Sequence, residues 1–220
     1  MARDSSIAVL VSGGLDSDVL LAECARRYAK VWPIYIRQGL AWESAERHWL
    51  KAFIRKIRLS AVQPLQVFSL PMADVYGPHW STGRRPAPGA RSRDKAVYLP
   101  GRNMLLSLKA AVFAVQHRVG TLALGSLDHN PFPDAAPRFY AQWGKALAAG
   151  LGSPLRVVAP YRRLGKAEVI RRGRRWPLEL SFSCIAPSGR RHCGRCNKCA
   201  ERRRAFKAAG IGDETSYAKT

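Results

Sequence analysis

Ser12-Gly13-Gly14-Leu15-Asp16-Ser17 stands directly after a short apolar run, Ile7 to Val11, and directly before a stretch that reads as helix through Tyr28. The run reads as a buried strand, so the hexapeptide occupies a strand-to-helix turn, the place where a phosphate cradle has to be. Glycines let the backbone turn tightly so that its N–H groups converge on an anion, and the helix that follows presents its positive end. The hydroxyls of Ser12 and Ser17 add donors, and Asp16 is a candidate Mg²⁺ ligand against phosphate oxygens. Ser, Gly and Asp also build ordinary turns and caps, but here residue order and flanking elements agree with a phosphate loop. No G-x-x-x-x-G-K-[ST] competes, and Gly150-Leu151-Gly152 lacks the third glycine of a dinucleotide fingerprint.

Outward from the loop, strand and helix patterns alternate. Residues 31–36 read as a second strand. Trp42, Ala45, Trp49, Phe53 and Ile57 recur at helical spacing, and residues 65–70 read as a third strand. Helices are predicted over 103–117, 137–149 and 166–172, with strands over 121–125 and 155–158. This order predicts an α/β fold: a parallel sheet with helices on both faces, whose ligands bind beyond the carboxyl ends of the strands. Between them, residues 71–95 form a Pro-, Gly- and Arg-rich loop. A loop of that length is expected to be a lid or a disordered insertion, and Arg84, Arg85, Arg91 and Arg93 would suit a cover over phosphates.

Four of the five cysteines follow the pattern C-x8-C-x2-C-x2-C at Cys184, Cys193, Cys196 and Cys199. The two short spacings put three sulfurs on one knuckle and a loop returns the fourth, the thiolate set of a closed structural zinc site. An iron–sulfur cluster is the competing occupant, but no cysteine or proline follows Cys199 at the offset of a ferredoxin run. His192 reads as a surface residue and Cys24 as a core-facing helix residue. The expected division is an α/β body carrying the phosphate loop over 1–180 and a small zinc-binding C-terminal appendage over 181–220.

The formal net charge is +22 on 220 residues, a field that attracts polyanions such as a nucleotide triphosphate, tRNA or DNA. Cations beside a zinc–thiolate centre also lower its electrostatic cost, which accounts for part of the cluster formed by Arg190, Arg191, Arg195, Lys198 and Arg202 to Arg204. The longest apolar runs are too short for a bilayer, and the clustered cysteines read as metal ligands rather than a secreted disulfide framework. With no charged-then-apolar leader in the first residues, the expectation is a cytoplasmic protein without a membrane partner.

The hexapeptide resembles the signature of the PP-loop ATP pyrophosphatases, which implies that it grips the pyrophosphate of ATP while a substrate oxygen is adenylated. The whole pattern resembles the 7-cyano-7-deazaguanine synthases, the nitrile-forming enzymes of the queuosine pathway. Pro100-Gly101-Arg102-Asn103, Leu164-Gly165-Lys166-Ala167-Glu168, the tail Asp213-Glu214-Thr215-Ser216-Tyr217 and the cysteine spacing carry that likeness. It implies Lys166 and Arg102 as cations on phosphate oxygens beside Asp16, and Asp128, Phe132 and Asp134 on the substrate side. The implied partners are ATP, ammonia and a small carboxylate, 7-carboxy-7-deazaguanine; nucleic acid is not expected, and a homodimer is left open. The likeness breaks at Arg37-Gln38-Gly39-Leu40 and at Ala135-Ala136, both substrate-facing in the family. Two other readings remain: a PP-loop enzyme adenylating a tRNA base carbonyl, and a zinc-ribbon nucleic-acid-binding protein.

Overall fold

β1 (Asp4–Leu10), β2 (Tyr28–Arg37), β3 (Gln66–Ser69), β4 (Thr121–Ala123) and β5 (Arg156–Val158) form one parallel sheet in the order β3-β2-β1-β4-β5. The computed structural model describes residues 4–128 and 130–218. β1 is central, with Val9 opposite both Pro33 of β2 and Ala123 of β4. Alternate residues of β1 feed two cores. Ile7, Val9 and Val11 pack with Val19 and Leu20 of α1 (Leu15–Arg27), Val169 and Ile170 of α6 (Lys166–Gly173), and Phe206 of α7 (Asn197–Ala209). Ala8 and Leu10 pack on the other face with Ala110 and Phe113 of α4 (Arg102–Gln116) and Tyr140 and Leu147 of α5 (Pro137–Gly150). A strand covered on both faces needs apolar residues in both registers, which is why β1 reads as a continuous apolar run rather than an alternation.

The chain leaves β1 towards β2 on one side and, later, β4 towards β5 on the other, so the strand order reverses between β1 and β4. That switch opens a crevice at the carboxyl ends of the strands. Two glycines let the elements close around it. Gly13 has φ +72°, and a Cβ there would lie 3.0 Å from the carbonyl oxygen of Glu46 in α2 (Glu43–Ile57). At the end of β4, a Cβ on Gly125 would lie 3.1 Å from the Ser17 nitrogen.

The parallel sheet and its two helical layers agree with the sequence reading. Tyr28, expected to close the first helix, instead opens β2. The 71–95 segment differs more. It holds α3 (Ala73–Tyr76) and a 3-10 turn at Trp80–Thr82, and a second such turn spans Asp94–Val97. It is tied down by Ala41 N–H to Ser81 O, Asn197 N–H to Pro88 O, Asn197 Nδ2 to Ser92 O and a bridge between Gly89 and Cys196. Its Trp80 and Ala87 pack into a third cluster with Trp42 and the four knuckle cysteines. The apolar side chains turn inward, so Arg84, Arg85, Arg91 and Arg93 are all exposed, and none lines the phosphate-loop cavity. The expected arginine cover over phosphates is therefore not what this segment provides.

The helix α7 went unpredicted inside the cysteine-rich tail. Its buried positions Cys199, Arg202, Ala205 and Phe206 are spaced three, three and one apart, and Gly210 ends it with φ +69°. That spacing was the available signal, hidden because one buried position is an arginine.

Candidate active site and four-cysteine centre

The phosphate loop is closed on itself by its own hydroxyls. Ser17 Oγ donates to Gly14 O at 3.0 Å and accepts from Ser12 N–H at 3.2 Å, while Ser12 Oγ accepts from Gly14 N–H at 3.3 Å. Leu15 roots the loop by burying its side chain in the first core. The loop forms one end of a cavity of about 310 Å³ that also takes in the ends of β2 and β4, the start of α4 and the start of α6. Ser12, Gly14, Leu15, Asp16 and Ser17 all line it, with Gly13 buried just behind.

Asp16 lies 3.6 Å from Lys166 Nζ through Oδ2, and its Oδ1 has no hydrogen-bond partner. Burial raises its carboxyl above the ordinary value, against the pull of Lys166. An orphaned carboxylate oxygen beside a phosphate loop suits a hard cation. Lys166, the first residue of α6, also donates to Glu201 Oε1, and Lys198 donates to Glu201 Oε2 at 2.6 Å. Burial opposes the charge on Lys166, but Asp16 and Glu201 outweigh it and hold the ammonium above its ordinary value. Burial likewise opposes ionisation of Glu201, yet the two lysines pull its carboxyl down to about 2. Lys166 and Lys198 both line the cavity. Neither Glu201 nor the use of Lys198 was foreseen, because Lys198 lies between two cysteines and Glu201 only two residues past the last. Asp18, one turn into α1, is 0% exposed and neither of its oxygens has a partner. Burial pushes its carboxyl well up against the pull of nearby Arg202, favouring the neutral acid.

The opposite wall begins with Arg102, the first residue of α4, aimed by the Pro100-Gly101 turn in which Gly101 has φ +69°. Its Nε donates to Gln38 Oε1 at 3.0 Å, and the Gln38 N–H donates in turn to Glu43 Oε1. Asp134 is buried and accepts Asn103 N–H at 2.8 Å and Asn103 Nδ2 at 3.4 Å, so it caps α4. It lines the cavity, as does Phe132, which stacks on Tyr98 at 5.0 Å. Asp128 is exposed, donates its N–H to Leu164 O and lies outside the cavity wall.

Cys184, Cys193, Cys196 and Cys199 are buried with all four sulfurs within 4.8 Å of one another. Cys184 Sγ accepts N–H groups from Ala186 and Cys193, and Cys193 Sγ accepts that of Cys196, the pattern that steadies thiolates. The set could hold a metal ion. Cys196 is also the N-cap of α7 and Cys199 lies in its first turn, so the centre sets where Lys198 and Glu201 stand. His192 is not at the surface: it is buried and accepts Ser183 N–H at 3.0 Å. Burial, with Arg202 nearby, depresses its ring to about 3. Arg202 is 1% exposed and ties α7 to Leu178 O, Ser181, Ser183 and Thr215, so it is a structural hub rather than part of a cationic surface. Cys24 is in the core, as its helical context suggested, and burial pushes its thiol up to about 12.

Fold and site define an α/β nucleotide-binding protein of the PP-loop class with a built-in four-cysteine centre. Similar architectures occur in the U34-tRNA thiolase NcsA from Methanococcus maripaludis with its [4Fe-4S] cluster (TM-score 0.50, 13% identity, 94% of this chain and 68% of that one). Another is a 4-thiouridine synthetase solved with RNA and bound ATP (TM-score 0.50, 13% identity, 94% of this chain and 50% of that one). At such identities the likeness concerns the fold. The family model for queuosine biosynthesis protein QueC matches residues 6–210. A 7-cyano-7-deazaguanine synthase of Anaeromyxobacter dehalogenans is 33% identical over the full length of both chains. Another, of Methanothermobacter thermautotrophicus, is 37% identical over 56% of this chain and 57% of its own. The chain belongs to the QueC family. Among the described residues no helix is long and apolar enough to cross a membrane.

Proposed function

We propose that this protein converts 7-carboxy-7-deazaguanine and ammonia into 7-cyano-7-deazaguanine at the expense of two ATP. The observation that carries the reading is one cavity in which a phosphate loop, Lys166 and Lys198 face an aromatic wall, in a chain of this family. In the first half-reaction a substrate carboxylate oxygen attacks the α-phosphorus of ATP, and pyrophosphate leaves as the acyl adenylate forms. Ammonia then displaces AMP, losing a proton, to give the amide. The amide oxygen then attacks the α-phosphorus of a second ATP with release of pyrophosphate, and loss of AMP and both N–H protons of the activated amide leaves the nitrile.

The protein's share is positioning and charge stabilisation. Ser12, Gly13, Gly14, Leu15 and Ser17 present N–H and hydroxyl donors to the departing pyrophosphate, and phosphate oxygens replace the loop's internal hydroxyl contacts. Lys166 and Lys198 face that charge with Glu201 behind them. Arg102, held by Gln38, supplies a third cation from the opposite wall. Asp16 would hold Mg²⁺ through its orphaned oxygen, and the ion would neutralise part of the phosphate charge. For the substrate side, Phe132 offers an apolar face and Asp134 acts through α4; Asp128 would reach substrate only by a rearrangement of its loop.

For the cysteine centre we propose zinc. A tetrahedral ion with Zn–S bonds of about 2.3 Å separates its sulfurs by about 3.8 Å, and Cys184–Cys196 and Cys193–Cys199 are each 3.9 Å apart. A four-iron cube would need its thiolates spread considerably wider. The division at residue 180 belongs to the same reading, with the qualification that α7 interlocks with the ATP-binding body through Arg202 and Glu201. The test is AMP release from ATP with 7-carboxy-7-deazaguanine, Mg²⁺ and ammonium, followed by mass measurement of the product. Two AMP per nitrile is the expected result; ATP turnover without nitrile formation would reject the assignment.

A further inference from the structure

Three acidic residues line the cavity among those described, and two are already engaged. Asp16 stands against Lys166, and Asp134 accepts two donors of Asn103 at the start of α4. The third, Glu46, has no task in the reaction above. It comes from the part of α2 that touches the phosphate loop at Gly13 and is 8% exposed. Its two oxygens are each held by one neutral donor: Tyr35 OH to Oε2 at 2.8 Å and Trp42 Nε1 to Oε1 at 3.0 Å. Trp42 is itself fixed by a parallel stack on Trp80, with centroids 5.5 Å apart and an interplanar angle of 9°.

An ionised carboxylate has about four lone-pair sites. With one donor on each oxygen, each oxygen keeps one acceptor site, and the group cannot rotate without losing both bonds. Such a carboxylate is complementary to a ligand edge bearing two adjacent parallel donors. The surroundings suit a flat heterocycle, since Trp80, Val97, Leu99, Phe132 and Ile185 line the same part of the wall and pack in one cluster. A different set, Leu10, Ile36, Leu106 and Leu124, lines the side towards α4. One cavity thus has two apolar subsites, as a reaction between two purine-like molecules requires.

We infer that Glu46 is the specificity-determining residue for the base, accepting the N1–H and the 2-amino group of the deazaguanine ring as a bidentate pair, with Tyr35 and Trp42 as its positioning residues. This rests on the proposed function and names which wall of the cavity reads the substrate. Binding two donors favours the ionised acid, whereas burial in the free protein holds the carboxyl up at about 7, against the pull of Arg102. The groups facing it are Tyr35 on β2, Arg102 on α4, Glu43 on its own helix and Asp18 on α1. Affinity for the base therefore weakens as pH falls through about 7.

The experiment measures kcat and KM for 7-carboxy-7-deazaguanine and for its analogue lacking the 2-amino group, with the unmodified protein and with Glu46→Gln. The unmodified protein is expected to disfavour the analogue roughly 10- to 150-fold in kcat/KM, the worth of one hydrogen bond to a charged acceptor. Glu46→Gln is expected to raise KM for the natural substrate by a similar factor, leave KM for ATP unchanged, and abolish discrimination between the two bases. Retained discrimination in Glu46→Gln overturns the inference while leaving the proposed function standing; no nitrile from the unmodified protein sinks both. A measurement that needs no variant is the pH profile of the unmodified protein. There KM for the base should rise below pH 7 while KM for ATP does not, and a flat profile for the base overturns the inference.

Discussion

Glu201 joins α7, which Cys196 caps, to Lys166 beside the phosphate loop, and Glu201→Gln tests that connection. The carboxylate bridges Lys166 and Lys198, and its drop from 4.5 to about 2 corresponds to about 3 kcal/mol of preference for the charged form. The side chain is 23% exposed, so solvent screening leaves about 1–2 kcal/mol of stability. For a chain of this size that lowers Tm by about 2–8 °C at pH 7. Because the folded-state carboxyl is depressed, its contribution is present above its unfolded value of 4.5 and is lost as pH falls towards 2. The Tm gap between parent and variant should be constant from pH 8 to 5 and close in acid. Saturating ATP, whose phosphates bring replacement negative charge, should stabilise the variant more than the parent. Thermal melts across pH, with and without ATP, read all three effects. Equal melting temperatures at neutral pH, or a gap undiminished at pH 3, would refute an ionised bridge at this position.

Asp16→Ala is expected to abolish AMP and pyrophosphate formation with fold and metal content intact, since Asp16 lines the cavity within the phosphate loop; near-parental ATP turnover would remove it from the phosphate site. The protein should be colourless with one zinc per chain, and Cys196→Ser should lose both the metal and much of the stability because a closed site contributes folding energy directly; stoichiometric iron with absorbance near about 400 nm would overturn that. Total tRNA should not stimulate AMP release in the absence of deazapurine at physiological salt, and any tRNA binding at low salt should collapse as salt rises. Salt-resistant, tRNA-dependent AMP release would support base adenylation on RNA instead.

The short-range features were legible in the order of residues. Ser12 to Ser17 marks its own turn because glycine at positive φ and a following helix start are local requirements. The cysteine spacing brings four sulfurs together within sixteen residues whatever surrounds them. Apolar runs alternating with helical periods likewise imply a sheet covered on both faces. The 71–95 segment has the composition of a loop, and its order is not legible locally because Trp80 and Ala87 find their apolar partners at Trp42 and the knuckle. His192 reads as a surface residue because polarity is taken for exposure, and nothing nearby in the chain reveals the Ser183 N–H that it accepts or the oxygens of Leu178, Ser181, Ser183 and Thr215 that satisfy Arg202.

Motif, strand pattern and ligand spacing were thus determined by the sequence itself, since each depends on backbone geometry over a few residues. The bridge from Glu201 to Lys166 spans 35 positions, and the contact of Arg102 with Gln38 spans 64. The bond from Tyr35 to Glu46 joins a strand to a helix start that nothing local aims at it. Only the tertiary structure decided these, because the protonation and orientation of a buried charge are set by the few groups that exclude water around it, and those arrive from distant parts of the chain.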